Sequence, residues 1–264
     1  TGHAEFYYAD YAGSPQEILS AVRHGYLYQG QYNPRQKKRR GSPTRGCQAA
    51  QMVHFLQNHD QVANSGRALR LNSLTSAGRY RALSAVLMLT PPTPMLFMGQ
   101  EFGATTPFSY FADHDVDLKQ IVRDGRWGYI RMFPRTAKWG DNGELADPSW
   151  RDTFENSKLY WDECRRHEAM LRFHADLLRL RREDPIFSQQ DWTMLDGAVV
   201  GPEAFILRWF APDENDRLLC VNLGRDMDWR PVPEPLAAPP RDQDWRLLWS
   251  SERFEYAGAG AAEF

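Results

Sequence analysis

Two short apolar runs in the first half of the chain each end abruptly in polar side chains. The first begins at Met52 and ends in the polar residues Gln57 to Gln61, and the second, Met95 to Met98, is followed by Gly99-Gln-Glu101. Between them, Gly78 to Leu89 has apolar positions at helical spacing, and proline follows at once, which forbids continuation of the helix. This order of strand, polar tip, helix and strand is typical of parallel βαβ units, so the pattern predicts an α/β fold.

The polar tip of the first run is the strongest candidate for chemistry. In a (β/α)8 barrel the interior is packed solid, and functional side chains lie at the carboxyl ends of the strands. Asn58, His59 and Asp60 fall at that transition. The alternative is an Asx-type turn that only closes an ordinary strand, since Asn and Asp are common turn residues.

The later part of the chain changes character twice. Residues 124 to 164 lack sustained periodicity and predict a long irregular excursion over the active-site face. His167 to Arg182 carries a broad apolar stripe that predicts a long helix. Beyond it, short strands alternate with turn-rich stretches such as Leu195-Asp-Gly-Ala198, which predicts a small antiparallel β-sandwich. The strand candidates are Trp192 to Leu195, Ala204 to Phe210, Leu218 to Asn222 and Arg246 to Trp249.

Three motifs resemble the α-amylase superfamily of glycoside hydrolases. They are Phe55 to Gln61, Pro94 to Gly103 and Thr106 to His114. The resemblance runs from residue 1 to about residue 188 and more weakly beyond. It implies the last units of an incomplete (β/α)8 TIM barrel over residues 1–188 and a C-terminal β-sandwich domain over residues 189–264.

The position of the His-Asp pair implies that much of the barrel lies upstream. In this superfamily the nucleophilic Asp ends the fourth strand, the acid Glu ends the fifth, and the His-Asp pair ends the seventh. The residues before His59 cannot hold six βα units of roughly thirty residues each. The chain also begins with Thr1, without a signal peptide. We therefore expect a carboxy-terminal portion that lacks both nucleophile and general acid and depends on the remainder of its own barrel.

The resemblance implies a role for each member of the pair and a substrate for the whole enzyme. Asp60 would be the transition-state stabiliser and His59 would donate to a hydroxyl of the same sugar. The most similar branch of the superfamily acts on maltooligosyl trehalose, an α-glucan, and releases trehalose by hydrolysing the adjacent α-1,4 bond. A branching transferase, which moves the glucan to another chain, and a noncatalytic glucan-binding fragment are the alternatives.

The neighbouring amides have two interpretations. Gln57, Asn58 and Gln61 offer donors and acceptors for sugar hydroxyls, and equally for backbone groups that tie loops together. Arg39, within the basic run Arg35 to Arg40, is the candidate for the acceptor side of the cleft.

Aromatic side chains provide a further set of candidates, because an aromatic ring offers a platform for the apolar face of a sugar. Phe108 and Tyr110 are candidate sugar-stacking residues, as is Phe111. The alternative for these residues is packing of their loop onto the barrel.

Composition excludes several classes of function. The net charge of −2 gives no electrostatic footprint for nucleic acid. No apolar run approaches the roughly twenty residues that span a bilayer, and a cytoplasmic protein is expected. The three cysteines, Cys47, Cys164 and Cys220, and the histidines lack paired spacing, so neither disulfides, a metal nor any other cofactor is predicted. Asp113-His-Asp115 is interpreted as a helix cap rather than a metal site.

Overall fold

The structure, a computed structural model, describes residues 5–134, 137, 145–228 and 233–261. Over these ranges the chain mixes helices with short strands. The α-helices are Pro15–His24 (α1), His59–Ala63 (α2), Leu71–Leu74 (α3), Ala77–Leu89 (α4), Val116–Arg131 (α5), Arg151–Glu155 (α6), Glu163–Arg166 (α7) and Glu168–Glu183 (α8). The strands are Tyr32–Asn33 (β1), Lys38–Arg39 (β2), Val53–His54 (β3), Thr93–Pro94 (β4), Leu195–Gly201 (β5), Ala204–Trp209 (β6) and Arg217–Asn222 (β7).

The two long predicted helices are confirmed as α4 and α8. Helix α4 begins after Ser76, whose hydroxyl accepts a hydrogen bond from Arg79 N at 3.3 Å, and it ends before the predicted proline stop. Helix α8 ends at Glu183, and its C-cap residue Asp184 directly precedes Pro185. Helix α5, by contrast, contradicts the prediction of an irregular excursion from residue 124, because residues 124–131 are helical.

Strands β3 and β4 form a parallel pair with α2, α3 and α4 in the connection between them. The ladder consists of Thr93 N donating to Met52 O and Met95 N donating to His54 O, each at 2.8 Å. The second strand therefore lies earlier than the predicted Met95 to Met98, and the His-Asp pair lies after the strand, in the first turn of α2.

The C-terminal sheet has the antiparallel order β5-β6-β7. All six residues of β6 are buried. Within residues 189–228 and 233–261 these three strands form one sheet, not the predicted two-sheet sandwich, and Arg246 to Trp249 is not a strand. Nor is Leu195-Asp-Gly-Ala198 a turn, because it belongs to β5.

The sheet packs against helices and shares one core with them. Side chains of α1, α4, α8 and β6 form a single cluster, with Leu19, Met88, Leu177 and Phe205 each at most 2% exposed. At the edge of this core, the Arg81 guanidinium from α4 donates to both carboxylate oxygens of Glu252 at 2.8 Å. The last part of the chain is thus fastened to α4.

A second apolar surface surrounds the parallel pair and is open. Within the described residues β3 and β4 pair only with each other, so their outer edges have no partner strand. The apolar side chains exposed here are Val53 at 55%, Phe55 at 39%, Met95 at 37% and Met98 at 40%.

We expect residues 1–264, expressed alone, to self-associate through this surface, because unpaired strand edges and exposed apolar side chains promote aggregation. Size-exclusion chromatography with light scattering and a thermal melt test the expectation. The full-length protein under the same conditions is the control. A monomeric fragment that melts cooperatively would contradict it.

Candidate active-site segment

The segment after β3 forms a capping box at the start of α2. Asn58 Oδ1 accepts hydrogen bonds from Asp60 N at 2.8 Å and from Gln61 N at 3.4 Å. Gln61 Oε1 in turn accepts from Asn58 N at 3.0 Å. Each side chain satisfies backbone donors that the helix itself cannot. For Asn58 and Gln61 the structure therefore shows the backbone-bonding alternative.

His59 and Asp60 project from the first turn of α2 into solvent. Each side chain is 68% exposed, and His59 Nε2 lies 3.5 Å from Asp60 Oδ1. This separation permits a weak ion pair only when the imidazole is protonated. Neither group has a tight contact with another described residue, so both are accessible to a ligand.

Gln57 lies on the other side of the backbone. It is 3% exposed, and its Oε1 accepts a hydrogen bond from Leu71 N at 2.8 Å. Its Nε2 is buried without a hydrogen-bond partner in the structure. The predicted contact of Gln57 with substrate does not fit this burial, whereas the loop-tying alternative does: its side chain fixes the start of α3 to the strand end.

The aromatic loop after β4 separates into packed and accessible rings. Phe108 meets Phe97 edge to face at a centroid distance of 5.1 Å and meets Phe111 at 5.7 Å. Phe111 also meets Phe154, at 5.1 Å. Phe108 and Phe111 thus pack this loop, as the alternative for these residues states, and the sugar contact of the partly buried Phe108 stays a prediction. Tyr110, 39% exposed, is the accessible ring of the three.

Arg126 of α5 connects Tyr110 to α2. Its Nη1 donates to Asn64 Oδ1 at 3.0 Å, its Nη2 donates to Ala63 O at 2.5 Å, and its guanidinium carbon lies 5.1 Å from the centre of the Tyr110 ring. Partial burial lowers the pKa of the Arg126 guanidinium. The sequence did not single out Arg126, because it lies in the stretch interpreted as irregular.

A buried arginine supports the base of this loop. Arg70, 1% exposed, donates to Thr106 O at 2.6 Å and to Met98 O at 2.7 Å. Glu163 accepts from Thr105 N at 3.1 Å beside it. Burial lowers the pKa of Arg70, and the charge of Glu163 acts in the opposite direction. The backbone that carries the aromatic rings is therefore held on both sides by charged groups.

Arg39 lies on a separate hairpin formed by β1 and β2. Its side chain is exposed, and its Nη1 donates to Gly30 O at 3.0 Å within the hairpin. Asp10 holds the hairpin by accepting from Arg35 at 2.9 Å and from Arg40 at 2.8 Å. The hydrogen bonds to Arg35 are the main reason that the pKa of Asp10 is lowered. Arg35 and Arg40 of the basic run are thus structural, whereas Arg39 has no described contact with α2 and its place at the cleft stays a prediction.

A metal-binding cluster and a membrane-spanning helix are both absent from the described residues. They contain no group of three or more His, Cys, Asp or Glu side chains placed to hold a metal ion. None of the helices in the described ranges is both long enough and apolar enough to cross a membrane.

Comparison with known proteins gives a consistent set of relatives. Residues 193–262 match a domain of unknown function, DUF3459. The chain is 36% identical over 273 aligned residues to a malto-oligosyltrehalose trehalohydrolase from Deinococcus radiodurans, covering 100% of this chain and 43% of that protein. The enzyme of the same name from Saccharolobus solfataricus is 34% identical, over 69% of this chain and 30% of its own length.

A solved structure supports the same relationship. A protein from Salmonella typhimurium assigned as an alpha amylase matches with a TM-score of 0.71 and 33% identity, covering 84% of this chain and 38% of that one. The chain spans less than half the length of each of these relatives. This chain is therefore homologous to the carboxy-terminal part of the malto-oligosyltrehalose trehalohydrolases, in the α-amylase superfamily of glycoside hydrolases.

Proposed function

We propose that this chain is the carboxy-terminal part of a retaining α-glycosidase that releases trehalose from maltooligosyl trehalose. The reaction hydrolyses the α-1,4 bond adjacent to the trehalose unit. The observation that carries this proposal is the match along 100% of the chain to a relative that bears the name of this activity. The exposed His59–Asp60 pair, directly after a strand of a parallel pair, supports it.

The proposed architecture is the end of a (β/α)8 barrel followed by a small β domain, with the division near residue 188. The parallel pairing of β3 with β4 across a helical connection supports barrel units. The relatives' greater length supports an upstream segment that would complete the barrel and supply the nucleophilic Asp and the acid Glu. That segment would also cover the open edges of β3 and β4.

In the proposed mechanism Asp60 assists two carboxyl groups from that upstream segment. A retaining glycosidase holds them roughly 5 Å apart, one to attack the anomeric carbon and one to protonate the leaving oxygen. Asp60 would accept hydrogen bonds from hydroxyls of the cleaved ring, and these bonds strengthen as positive charge develops on the sugar. His59 would donate to a hydroxyl of the same ring. The side chains of both are exposed, as such contacts require.

The remaining proposals concern substrate contacts, partners and location. Arg39, on its exposed hairpin, would approach the acceptor side of the cleft. The partner is an α-glucan, not nucleic acid or a membrane, and the location is cytoplasmic. The three free cysteines support a reducing compartment.

Product analysis of the full-length protein tests the proposed function. Incubation with maltooligosyl trehalose is expected to release trehalose. A parallel incubation with amylose, analysed for new α-1,6 branches, tests for the branching transferase. Branches without trehalose would replace the proposed function with that one. Glucan binding without any product would leave only the noncatalytic binding module.

A further inference from the structure

Asn64 lies on the same face of its helix as Asp60. Asn64 N donates to Asp60 O at 3.0 Å, which closes one turn of α2. Side chains four residues apart in a helix are stacked on one face, about 5–6 Å apart at Cβ. The Arg126 guanidinium, bound to Asn64 Oδ1, therefore lies on the face of α2 that carries Asp60.

Arg126 is a cation whose described partners are all neutral. It donates to an amide oxygen of Asn64 and a backbone oxygen of Ala63, and it lies over the Tyr110 ring. Among the described residues no carboxylate forms an ion pair with it. A guanidinium has five N–H donors, and two described hydrogen bonds leave donors for a ligand. Each of its nitrogens either forms a hydrogen bond or is accessible to solvent.

We propose that Arg126 and Tyr110 form a glucan subsite next to Asp60, with Asn64 positioning the Arg126 guanidinium. Arg126 donates to hydroxyls of the glucosyl ring adjacent to the one that Asp60 contacts, and the exposed part of the Tyr110 ring lies against the apolar face of that sugar. The inference rests on the proposed function and adds a specificity-determining residue to it. A guanidinium stays charged even without a carboxylate beside it, so Arg126 can donate strong hydrogen bonds to the neutral hydroxyls of a sugar.

A purely structural role for Arg126 predicts a different pattern of effects. If Arg126 only clamps α2, Arg126→Met breaks both described hydrogen bonds of the clamp and Asn64→Ala breaks one of them. Any loss of maltoheptaose affinity would then follow the loss of thermal stability in each variant, and the double variant would resemble Arg126→Met. If Arg126 also contacts sugar, Arg126→Met costs binding that Asn64→Ala does not.

The test measures maltoheptaose affinity by calorimetry, and KM and kcat on the glucan substrate, in the full-length protein. Arg126→Met is expected to weaken maltoheptaose binding and raise KM about tenfold or more, as for loss of a charge-assisted hydrogen bond. Asn64→Ala is expected to change both by less than about threefold, because the Arg126 bond to Ala63 O remains. Arg126→Lys keeps the charge but not the planar fork, and is expected to raise KM several-fold if the Met variant does not fold.

Arg123→Met is the matched control. Arg123 lies one helical turn earlier on α5, where it covers the Trp127 ring at 4.2 Å and pairs with Asp147 at 3.3 Å, away from α2. Its maltoheptaose affinity and KM should be unchanged. Unchanged KM and affinity in the Arg126 variants, or affinity losses that only follow the fall in melting temperature in Arg126→Met and Asn64→Ala, would overturn the subsite. A protein that branches amylose instead of releasing trehalose would overturn the proposed function but not the subsite. KM and kcat of the same variants would then be measured on amylose.

Discussion

Replacing Asp60 with asparagine in the full-length protein is expected to lower kcat for trehalose release on the order of a hundredfold or more. The substitution keeps the shape of the side chain but removes the negative charge that would stabilise the developing oxocarbenium ion. Stability should fall by only about 0.3–1 kcal/mol, the cost of removing a charge near a helix N-terminus, because the Asp60 carboxylate is 68% exposed and its one described charged contact is His59 at 3.5 Å. Initial rates on maltooligosyl trehalose and thermal melts of both proteins measure the two effects separately.

Asp152→Asn is the control for this experiment. Asp152 is an exposed aspartate in the first turn of α6, which like α2 is a five-residue helix. Loss of its charge near a helix N-terminus should cost about 0.3–1 kcal/mol of stability and leave kcat unchanged. Equal activity of wild type and Asp60→Asn would contradict the role of Asp60. A large fall in melting temperature would assign the loss of activity to misfolding.

The sequence predicted those elements whose local signals agree with their packing. The apolar stripe of α8 faces the common core, α4 is buried along most of its length, and proline follows each of them closely. The antiparallel strands β6 and β7 were found nearly at their predicted bounds for the same reason. Where pattern and burial agree, a single sequence is sufficient.

Other elements were mispredicted because a local signal had a tertiary cause. The glycine of Leu195-Asp-Gly-Ala198 suggested a turn, but a Cβ at Gly197 would lie 2.7 Å from a methyl group of Leu19. Glycine is needed there because α1 packs closely on β5, not because the chain turns. In α5, Val116 and Ile121 are 83% and 66% exposed, so the helix carries no clear buried stripe. Only the start of this helix, after Asp113-His-Asp115, was predicted, and Arg126 was missed with its second half.

The candidate site, like the fold, was predicted only in part from the sequence. The motif located His59 and Asp60, and the structure leaves both exposed after the strand. The motif could not show whether the Asn58 side chain caps α2 or binds sugar, since both roles require the same donors and acceptors. Nor could it show that Gln57 is buried. Those distinctions depend on which way each side chain leaves the backbone.

Replacing Arg181 with methionine is expected to lower the free energy of unfolding by about 3 kcal/mol. Arg181 is 8% exposed, and its guanidinium donates to four backbone oxygens. Its Nη1 donates to Met88 O at 2.7 Å and to Thr90 O at 2.6 Å. Its Nη2 donates to Pro91 O at 3.2 Å and to Pro92 O at 3.0 Å. These carbonyls lie at the end of α4 and in the approach to β4, where few backbone donors are available. Methionine keeps the apolar volume but leaves the oxygens buried without this donor.

Urea unfolding of the full-length protein measures the effect, with Arg182→Met as the control. Arg182 is the next residue of α8 and is exposed, so its replacement should change the unfolding free energy by less than about 0.5 kcal/mol. Gln190 Nε2 also donates to Pro91 O, at 3.0 Å. Of the four carbonyls, only Pro91 O therefore keeps a described side-chain partner in the Arg181 variant. A loss no larger than that of Arg182→Met would show that water replaces Arg181 at all of these carbonyls. Because the same carbonyls precede β4 and the aromatic loop, a destabilised Arg181 variant is also expected to lose activity before it unfolds globally.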